Sequence, residues 1–342
     1  MADISKINAV LIANIAEIDD VLAANIAKVN GLVFSTAPAF TGLLDTYTGA
    51  AAAYSVRQLK TGVTIAMRVR RDTNLTAGDD DEADVAFDTS LTDPAISLDS
   101  AISNASAGVN ALTLGEFLNV GTVGGKSYVN RDNLTVTASC FVDEWKDQTT
   151  NANHATQGTF GAQPQIHLGT VNTDLITENG KPAIEWDGSD DIHLDTGTVT
   201  TVSQPYFITC VYNTVKAAGT QRVYSSSSTS LTPTLTANVS SNIHEFYAGT
   251  AITGGAVNTN QRLATALYEG TSSLGWVDGT QVASGNASTG SFTGFWLGKL
   301  NAAVSFQNLF GTLQEVILWD SDDTNRTGIE TNIDNYFQIP GM

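Results

Sequence analysis

Clusters of carboxylate side chains are the feature of this sequence that most directly offers chemistry. One run contains Asp79, Asp81 and Asp84, and a second acidic turn spans residues 187–191. Carboxylate oxygens are the ligands that Ca²⁺ prefers in proteins. Asp79, Asp81 and Asp84 are therefore a candidate calcium site, although a solvated acidic loop is the commoner explanation of such a run. Neither spacing matches the 12-residue EF-hand loop, and no cofactor other than calcium is predicted.

Tryptophan side chains offer a second kind of chemistry, the recognition of sugars. A flat aromatic face covers the apolar C–H groups of a sugar ring while neighbouring polar side chains bind its hydroxyls. Trp296 and Trp319 have the alternating neighbours of core strands, which predicts that both are buried. Trp145, Trp186 and Trp276 remain as possible sugar platforms, and Trp276 is the one that we include among the candidate glycan-binding residues.

Histidine, serine and glycine patterns give no support to other reaction classes. His154, His167, His193 and His244 are scattered without a His-x-x-x-His pair, so we expect them at the surface or in turns. The sequence has neither a Gly-x-Ser-x-Gly elbow nor a Gly-x-x-x-x-Gly-Lys phosphate loop. Nucleophilic serine chemistry and nucleotide chemistry are therefore not predicted.

An 11-residue repeat occupies residues 4–33 in the copies ISKINAVLIAN, IAEIDDVLAAN and IAKVNGLVFST. Its apolar positions recur at spacings typical of a helix stripe, and eleven residues in three turns correspond to about 3.67 residues per turn. We predict an N-terminal helical hendecad segment over residues 1–34, while Asn30-Gly31 leaves open short strand-turn units. The segment either packs on the body of the protein or serves as an anchoring and oligomerisation device. The residues predicted to associate are Ile4, Ile7, Leu11, Ile15, Ile18, Leu22, Ile26 and Val29.

The rest of the chain consists of short β-rich runs separated by turn clusters. A connector over 35–48 is followed by an Ala-rich helical piece near 49–60, and the strand-like runs then continue to about residue 320. Many short strands without βαβ alternation predict a mainly β fold, an antiparallel β-sandwich or jelly roll over 49–342. Residues 323–337 predict a short amphipathic C-terminal helix. The two cysteines each lie in an apolar run, so free buried thiols are expected.

Three segments in order resemble the catalytic domain of the fungal-type α-L-arabinofuranosidase B family. They are residues 52–88 with AAYSVRQLK and VRR, residues 142–157 with VDEWKDQTTNANHATQ, and residues 163–195 with QPQIHLG and KPAIEWDG. The C-terminal half is similar to laminin G-like modules. The resemblance implies a concanavalin-like sandwich, a fold that also occurs without its enzyme context in phage virion proteins.

The family's catalytic carboxylates have no clear counterparts in this sequence. The stretch matching the nucleophile strand offers only Glu245, which is shifted against the motif, and the stretch matching the acid/base loop has Lys299 and Asn301. Because a retaining glycosidase needs two carboxyls, we predict a protein that is not an enzyme. The alternative is an active arabinofuranosidase-like hydrolase that uses a rearranged pair, Glu245 with Glu315 or Asp278.

These features together predict a bacteriophage virion structural protein, a tail-fibre, capsid-fibre or decoration subunit that displays a lectin-like sandwich. The expected location is the virion, assembled in the host cytoplasm and exposed after lysis. Other virion proteins, further copies of the chain (for example in a trimer) and a host cell-surface glycan are the expected partners. The glycan-binding residues predicted from the resemblance and the acidic turn are Asp147, Gln148, Asn151, Asn153, Asp187, Asp190 and Trp276.

Two classes of partner are excluded by charge and hydropathy. Asp and Glu outnumber Lys and Arg by 35 to 16, a net charge of -19, which disfavours a surface that must neutralise phosphates. The sequence also lacks the roughly 18 consecutive apolar residues that a spanning helix requires. We therefore expect neither nucleic-acid binding nor membrane insertion.

Overall fold

A computed structural model describes residues 40–72, 81–118, 138–169, 174–188, 191–215, 219–227, 232–300, 307–322 and 324–342. It also describes the backbone of four residue pairs nearer the N-terminus. The chain divides into two compact units, Met1–Thr41 and Gly42–Met342. Part of the predicted connector 35–48 belongs to the second unit, because Leu43 and Leu44 are buried in its core.

The described pairs of the first unit are strands, so the helix prediction is wrong at those positions. Strand β1 (Glu17–Ile18) pairs with β2 (Val21–Leu22), and β3 (Lys28–Val29) pairs with β4 (Leu32–Val33), both antiparallel. Two residues separate the strands of each pair, Asp19-Asp20 and Asn30-Gly31, and such polar pairs favour two-residue hairpin loops. The 11-residue period therefore repeats a strand-turn unit there, which is the alternative reading of the pattern. The other predicted association residues (Ile4, Ile7, Leu11, Ile15 and Ile26) lie outside the described residues.

The second unit is mainly β, which confirms the predicted fold class. Its helices are α1 (Leu43–Thr46), α2 (Leu114–Leu118) and α3 (Arg326–Phe337). Its strands are β5 (Ala50–Ser55), β6 (Ile65–Asp72), β7 (Asp81–Ala86), β8 (Ile102–Ser103), β9 (Ser139–Trp145), β10 (Ala155–Thr156), β11 (Gln165–Leu168), β12 (Thr177–Glu178), β13 (Lys181–Pro182), β14 (Ile184–Asp187), β15 (Leu194–Asp195), β16 (Tyr206–Thr214), β17 (Thr220–Ser226), β18 (Thr234–Asn238), β19 (Ile243–Tyr247), β20 (Ala251–Gly254), β21 (Arg262–Tyr268), β22 (Ser273–Val277), β23 (Thr280–Gly285), β24 (Phe295–Leu297) and β25 (Phe310–Trp319).

Antiparallel pairing links most of these strands into one curved sheet that closes on itself. One layer runs β7-β6-β9-β11-β14-β25-β16-β21-β22-β23, and the other runs β10-β15-β24-β17-β18-β19-β20. Strand β9 belongs to both layers, since its beginning pairs with β11 and its end pairs with β10. The two layers enclose the core, where the ring of Tyr54 meets that of Phe295 edge-on at 5.7 Å.

The Ala-rich segment near 49–60 is a strand rather than the predicted helical piece. Residues 50–55 form β5, which pairs with β25 in the order Ser55 to Glu315 and Ala52 to Leu318. Small side chains suit this position because Ala52 and Ala53 are buried where β5 pairs with β25. Tertiary packing therefore overrides the helical preference of alanine.

The C-terminal helix and the cysteines follow the predictions. Helix α3 begins at Arg326 and buries Ile329, Ile333 and Phe337 in the core, as its amphipathic pattern indicates. Cys140 and Cys210 are both free and fully buried. None of the helices that the structure describes is long and apolar enough to cross a membrane.

Candidate functional site

A cleft on the outer face of β6, β9, β11 and β14, which we call the β14 cleft, is the candidate site. It encloses about 450 Å³. Successive side chains of these four strands point alternately to the core and to the cleft. Ile166, Ile184 and Trp186 are therefore buried in the core, while their neighbours face outward. The cleft is lined by Arg70, Asp72, Phe141, Phe160, Gly161, Gln163, Gln165, Glu185, Asp187 and Ile192.

The register of the strands places the cleft residues in one row across the sheet. Arg70 of β6 is opposite Phe141 of β9, which is opposite Gln165 of β11. Gln165 is in turn opposite Glu185 of β14, and Glu185 is opposite Thr312 of β25. Directly paired residues lie on the same face, with neighbouring strands about 4.8 Å apart. Side chains from widely separated segments therefore form a continuous surface.

Arg70 forms one end of this row and is held by two aromatic rings. Its guanidinium carbon lies 4.6 Å from the ring centroids of both Phe141 and Phe160. Its Nε also donates a hydrogen bond to Oε1 of Gln163 at 2.8 Å. Only 3% of the residue is exposed, so Arg70 organises the cleft and presents little of its charge to solvent.

Three polar side chains of the row have no partner in the described part of the chain. We call Gln165, Glu185 and Thr312 the polar row; Gln165 and Glu185 line the cleft, and Thr312 follows Glu185 on the same face. The hydroxyl of Thr312 is unpartnered among the described residues although the residue is only 6% exposed. The side chains of Gln165 and Glu185 likewise form no hydrogen bond or ion pair within the described ranges. Polar groups in this state are suited to binding a ligand.

Glu185 and Asp187 are two positions apart on β14 and so point to the same face. Glu185 is partly buried and Asp187 is exposed. Burial raises the pKa of the Glu185 carboxyl, and the nearby charge of Asp187 raises it further. Only the protonated form of a carboxyl can donate a hydrogen bond, and the ionised form can only accept.

Phe160 gives the cleft an aromatic wall. It lies in the 3₁₀ turn Phe160–Ala162, and 47% of the residue is exposed although the ring contacts Arg70. The turn is fixed from below by Gln163, whose Nε2 donates to Asp143 at 3.0 Å and to the carbonyl oxygen of Gln157 at 2.8 Å. An exposed ring beside amide and carboxyl groups is the combination that binds sugars.

A second concave region, of about 700 Å³, is lined by parts of residues 91–99 and 174–182 and by Tyr336. Its charged groups lie mainly at the exposed rim, and Lys181 is placed over the Tyr336 ring at 4.3 Å from the centroid. It is the larger of the two. The β14 cleft is the better candidate because it contains polar side chains without partners.

Asp147 is part of the scaffold, which corrects its predicted role in glycan contact. The residue is 5% exposed, and its carboxylate accepts hydrogen bonds from the backbone N–H groups of Ala53, Thr149 and Asn153, each at 2.9 Å. The Thr149 hydroxyl also donates to it at 2.8 Å. Its lone pairs are therefore used in fixing the loop after β9 against β5.

The neighbouring amides of this loop serve the same purpose. Gln148 is fully buried, and its Oε1 accepts the Leu59 N–H at 2.7 Å. Asn151 and Asn153 donate side-chain N–H groups to the carbonyl oxygen of Ala51 at 2.9 and 3.5 Å. The motif that carries the family resemblance thus holds the loop after β9 against β5, and glycan contact by Asn151 and Asn153 stays a prediction.

The remaining predicted glycan residues have different outcomes. Asp187 lines the cleft, as described above. Trp276 is 4% exposed, and the Arg326 guanidinium lies 4.4 Å from its ring centroid, so its face is covered and the predicted sugar platform is corrected. Asp190 lies outside the described residues. Trp319 is buried as predicted, while Trp296 is only partly buried and stacks on His193 at 4.6 Å.

The acidic residues of β7 bind arginines, which corrects the predicted calcium site for Asp81 and Asp84. Arg71 donates to Asp81 at 2.5 Å, and Arg68 donates to Asp84 at 3.0 Å. Positions three apart on a strand face opposite sides, so these two carboxylates do not converge. Asp79 lies outside the described residues, and among the described ones no group of three acidic, His or Cys side chains could hold a metal.

The rearranged catalytic pair is not supported by the positions of its members. Glu315 is fully buried and accepts the Arg57 Nε–H at 2.8 Å. Asp278 binds Arg262, and burial raises the pKa of its carboxyl. Glu245 accepts a hydrogen bond from Asn238 at 2.9 Å. A Glu315 enclosed in an ion pair cannot reach a substrate.

Two histidines are core residues, contrary to the expectation that all four lie at the surface or in turns. His167 and His244 are fully buried. His244 Nδ1 lies 3.1 Å from the Gly255 carbonyl oxygen, and its Nε2 lies 2.6 Å from the Tyr212 hydroxyl. Burial lowers the pKa of His244 to about 4, so the ring is neutral near pH 7. It donates to the carbonyl oxygen and accepts from the phenol.

Sequence reasoning missed Arg70, Phe160, Gln165 and Glu185 as site residues. A signal is present in the sequence, because VTIAMRVRR, QPQIHLG and KPAIEWDG have strand-like alternation, which places Glu185 and Asp187 on one face. The missing information was which strands are neighbours. Strand order depends on contacts between distant segments and cannot be read from alternation.

No family model matches this chain, and no curated protein matches it. Among solved structures, an arabinofuranosidase complexed with arabinofuranosyl-α-1,2-xylobiose is 16% identical over 85% of this chain and 64% of that chain, with a TM-score of 0.48. A GH54 α-L-arabinofuranosidase soaked with a cyclic sulfate inhibitor is 15% identical over 83% and 62%, with a TM-score of 0.49. A Trypanosoma rangeli sialidase in complex with the inhibitor DANA is 12% identical over 57% and 32%, with a TM-score of 0.39. This chain spans less than two thirds of each of these proteins.

Proposed function

We propose that this protein binds a glycan in the β14 cleft without cleaving it. The observation that carries the proposal is the polar row, in which an amide and a carboxyl of the cleft lining and the adjacent buried hydroxyl of Thr312 have no partner within the described residues. The exposed ring of Phe160 borders the same cleft. Sugars need both kinds of contact, an aromatic face for C–H groups and polar groups for hydroxyls.

The biological setting proposed for this activity is a phage virion. The apolar repeat of residues 1–34 would attach the sandwich to other virion proteins or to further copies of the chain, and the cleft would contact the host envelope. The repeated strand-turn units support an attachment role, since isolated short hairpins are marginally stable in water and gain stability by packing against a partner. Light scattering of the full chain beside one that starts at Phe40 would test self-association. A change from a defined oligomer to a folded monomer is expected.

Glycan binding is tested with a glycan array followed by calorimetry on the best ligand. Phe160→Ala and Gln165→Ala should each weaken binding at least tenfold, because each removes one kind of sugar contact. Leu112→Ala is the matched control, since Leu112 is 73% exposed and lies outside the cleft. Equal affinity of all three variants and the unaltered protein would place the ligand elsewhere. An array without any bound glycan would overturn the proposal.

A second candidate function is hydrolysis of a host polysaccharide in the same cleft, favoured by the raised pKa of Glu185 beside Asp187. Glu185 would protonate the glycosidic oxygen as the C–O bond breaks. Asp187 would take a proton from the water that attacks the anomeric carbon. The Cα atoms of residues two apart on a strand are about 7 Å apart and their side chains point the same way, an arrangement compatible with the separation of about 6.5 to 9.5 Å between the carboxyls of inverting glycosidases.

Release of reducing sugar separates the two candidate functions. Arabinan and host-type polysaccharides are incubated with the protein and with Glu185→Gln. Release that disappears in Glu185→Gln would establish the hydrolase, because the amide cannot supply the proton. Binding of the polysaccharide by the unaltered protein without any release would support the non-catalytic function.

A further inference from the structure

Acidic side chains outnumber basic ones in the described lining of the β14 cleft, and this affects which sugars it binds. Asp72, Glu185 and Asp187 line it with carboxyl groups. Arg70 is the one cationic residue of the lining that the structure describes, and its side chain is only 3% exposed. Its guanidinium is already held between Phe141 and Phe160. A ligand in the cleft therefore meets carboxyls rather than a cation.

From this distribution we infer that the cleft, on the function proposed above, selects amino sugars and neutral sugars and rejects uronic and sialic acids. An acidic sugar would place its carboxylate beside Asp187, while Arg70, the one cation of the described lining, is buried and already lies 3.9 Å from the Asp72 carboxylate, which is unfavourable. The ammonium group of an amino sugar would instead lie among carboxylates. A neutral sugar is neither repelled nor attracted by these carboxylates.

The polar row supplies the binding groups for such a ligand. Glu185 is partly buried and makes no ion pair within the described ranges, so its carboxyl can accept from an ammonium or hydroxyl group. Thr312 beside it is a buried residue, and its hydroxyl is equally without a partner there. Two adjacent acceptors on one face match an ammonium group, which has three donors to satisfy.

The ring of Phe160 strengthens the same preference. Its face carries partial negative charge, which attracts a cation such as the one it already holds in Arg70. The aromatic wall therefore favours a protonated amino sugar and does not attract a carboxylate. The aromatic and carboxyl groups of the cleft therefore both favour a cationic sugar over an acidic one.

The inference is tested by measuring the affinity of the full chain for three probes. These are a glucosamine tetramer with free amino groups, its N-acetylated neutral counterpart and a galacturonate tetramer. We expect the glucosamine tetramer to bind most tightly, the N-acetylated tetramer next and the galacturonate tetramer most weakly. The affinity for the galacturonate tetramer should be at least tenfold lower than that for the neutral one. The advantage of the amino sugar over the neutral sugar should shrink as salt is raised, because exposed charges are screened.

Variants show whether the preference arises in the cleft or from the acidity of the whole protein. Asp187→Asn should lower the affinity for the amino sugar by roughly two- to fivefold, the range of an exposed ion pair, and lower the affinity for the neutral sugar by less. Asp93→Asn is the matched control, an exposed acid outside the cleft. An equal effect of Asp93→Asn would mean diffuse attraction and would overturn the inference.

The failure of this inference can be distinguished from that of the proposed function. Binding of galacturonate or sialyllactose as tightly as the neutral tetramer would overturn the charge selection while leaving glycan binding intact. If no sugar of any charge binds, the proposed function falls and the inference falls with it.

Discussion

The guanidinium of Arg70 lies between the rings of Phe141 and Phe160, 4.6 Å from each ring centroid. The two phenylalanines come from different elements, β9 and the turn after β10. Arginine is suited to this place because its flat, delocalised cation can stack on both rings while its N–H groups bind in plane. The arrangement joins the floor of the cleft to its aromatic wall.

Arg70→Lys should lower the free energy of unfolding by about 1 to 3 kcal/mol, since lysine keeps the charge but loses the stacking and the fork of donors. Urea unfolding would measure the loss. Arg68→Lys is the matched control on the same strand; Arg68 is partly exposed and pairs with Glu82 and Asp84, so less than about 1 kcal/mol is expected. Equal losses of unfolding free energy in the two variants would mean that stacking of Arg70 on the two rings does not stabilise the protein.

Asp147→Asn should destabilise the protein by about 2 to 3 kcal/mol, because a buried carboxylate that accepts several hydrogen bonds is replaced by a group with one acceptor. Thermal and urea unfolding both report this change. Asp187→Asn serves as the comparison, an exposed carboxylate for which little change is expected. An Asp147→Asn variant as stable as the unaltered protein would contradict the scaffold role of this loop.

Glu315→Gln should be the most destabilising of these changes, by about 3 to 5 kcal/mol, because it leaves the buried Arg57 without its counter-ion. The double variant Arg57→Met with Glu315→Met should recover much of the loss, since it removes both buried charges. Denaturant unfolding of the single and double variants tests the pair. A double variant less stable than the single one would mean that packing, rather than charge, dominates at this site.

His244 should make stability depend on pH in a definite direction. Its pKa is about 4 in the folded chain and about 6.5 when unfolded, so between these values the unfolded state binds the extra proton. The contribution of His244 is therefore full above pH 6.5 and is lost as the pH falls towards 4, by about 3 kcal/mol.

The measurement for His244 compares the slope of unfolding free energy against pH in two variants. His244→Gln should have a shallower slope between pH 6.5 and 4.5 than the unaltered protein, even though its stability at pH 7 is lower. Leu112→Ala, an exposed substitution that removes no titratable group, should keep the original slope. Slopes that are equal in all three proteins would contradict a neutral, buried His244.

The outcome of each prediction from sequence depends on whether the signal was local. The closing helix was predicted correctly because Ile329, Ile333 and Phe337 recur at helical spacing within a few residues. The repeat of residues 4–33 was ambiguous because its apolar spacing suits a helix while its turn pairs suit hairpins. The motif around Asp147 was found correctly as a feature, but its role was not, since only the fold shows that its lone pairs are directed at β5.

By itself, the sequence determined the mainly β character of the chain, its acidic charge and its terminal helix, because these follow from composition and from spacing within single segments. Only the tertiary structure decided that β7 carboxylates meet β6 arginines, and that Gln165, Glu185 and Thr312 form one row. The physical reason is that register between strands is fixed by packing and hydrogen bonds among residues far apart in the chain. If the register of β14 shifted by one residue, the Glu185 side chain would point into the core instead of the cleft.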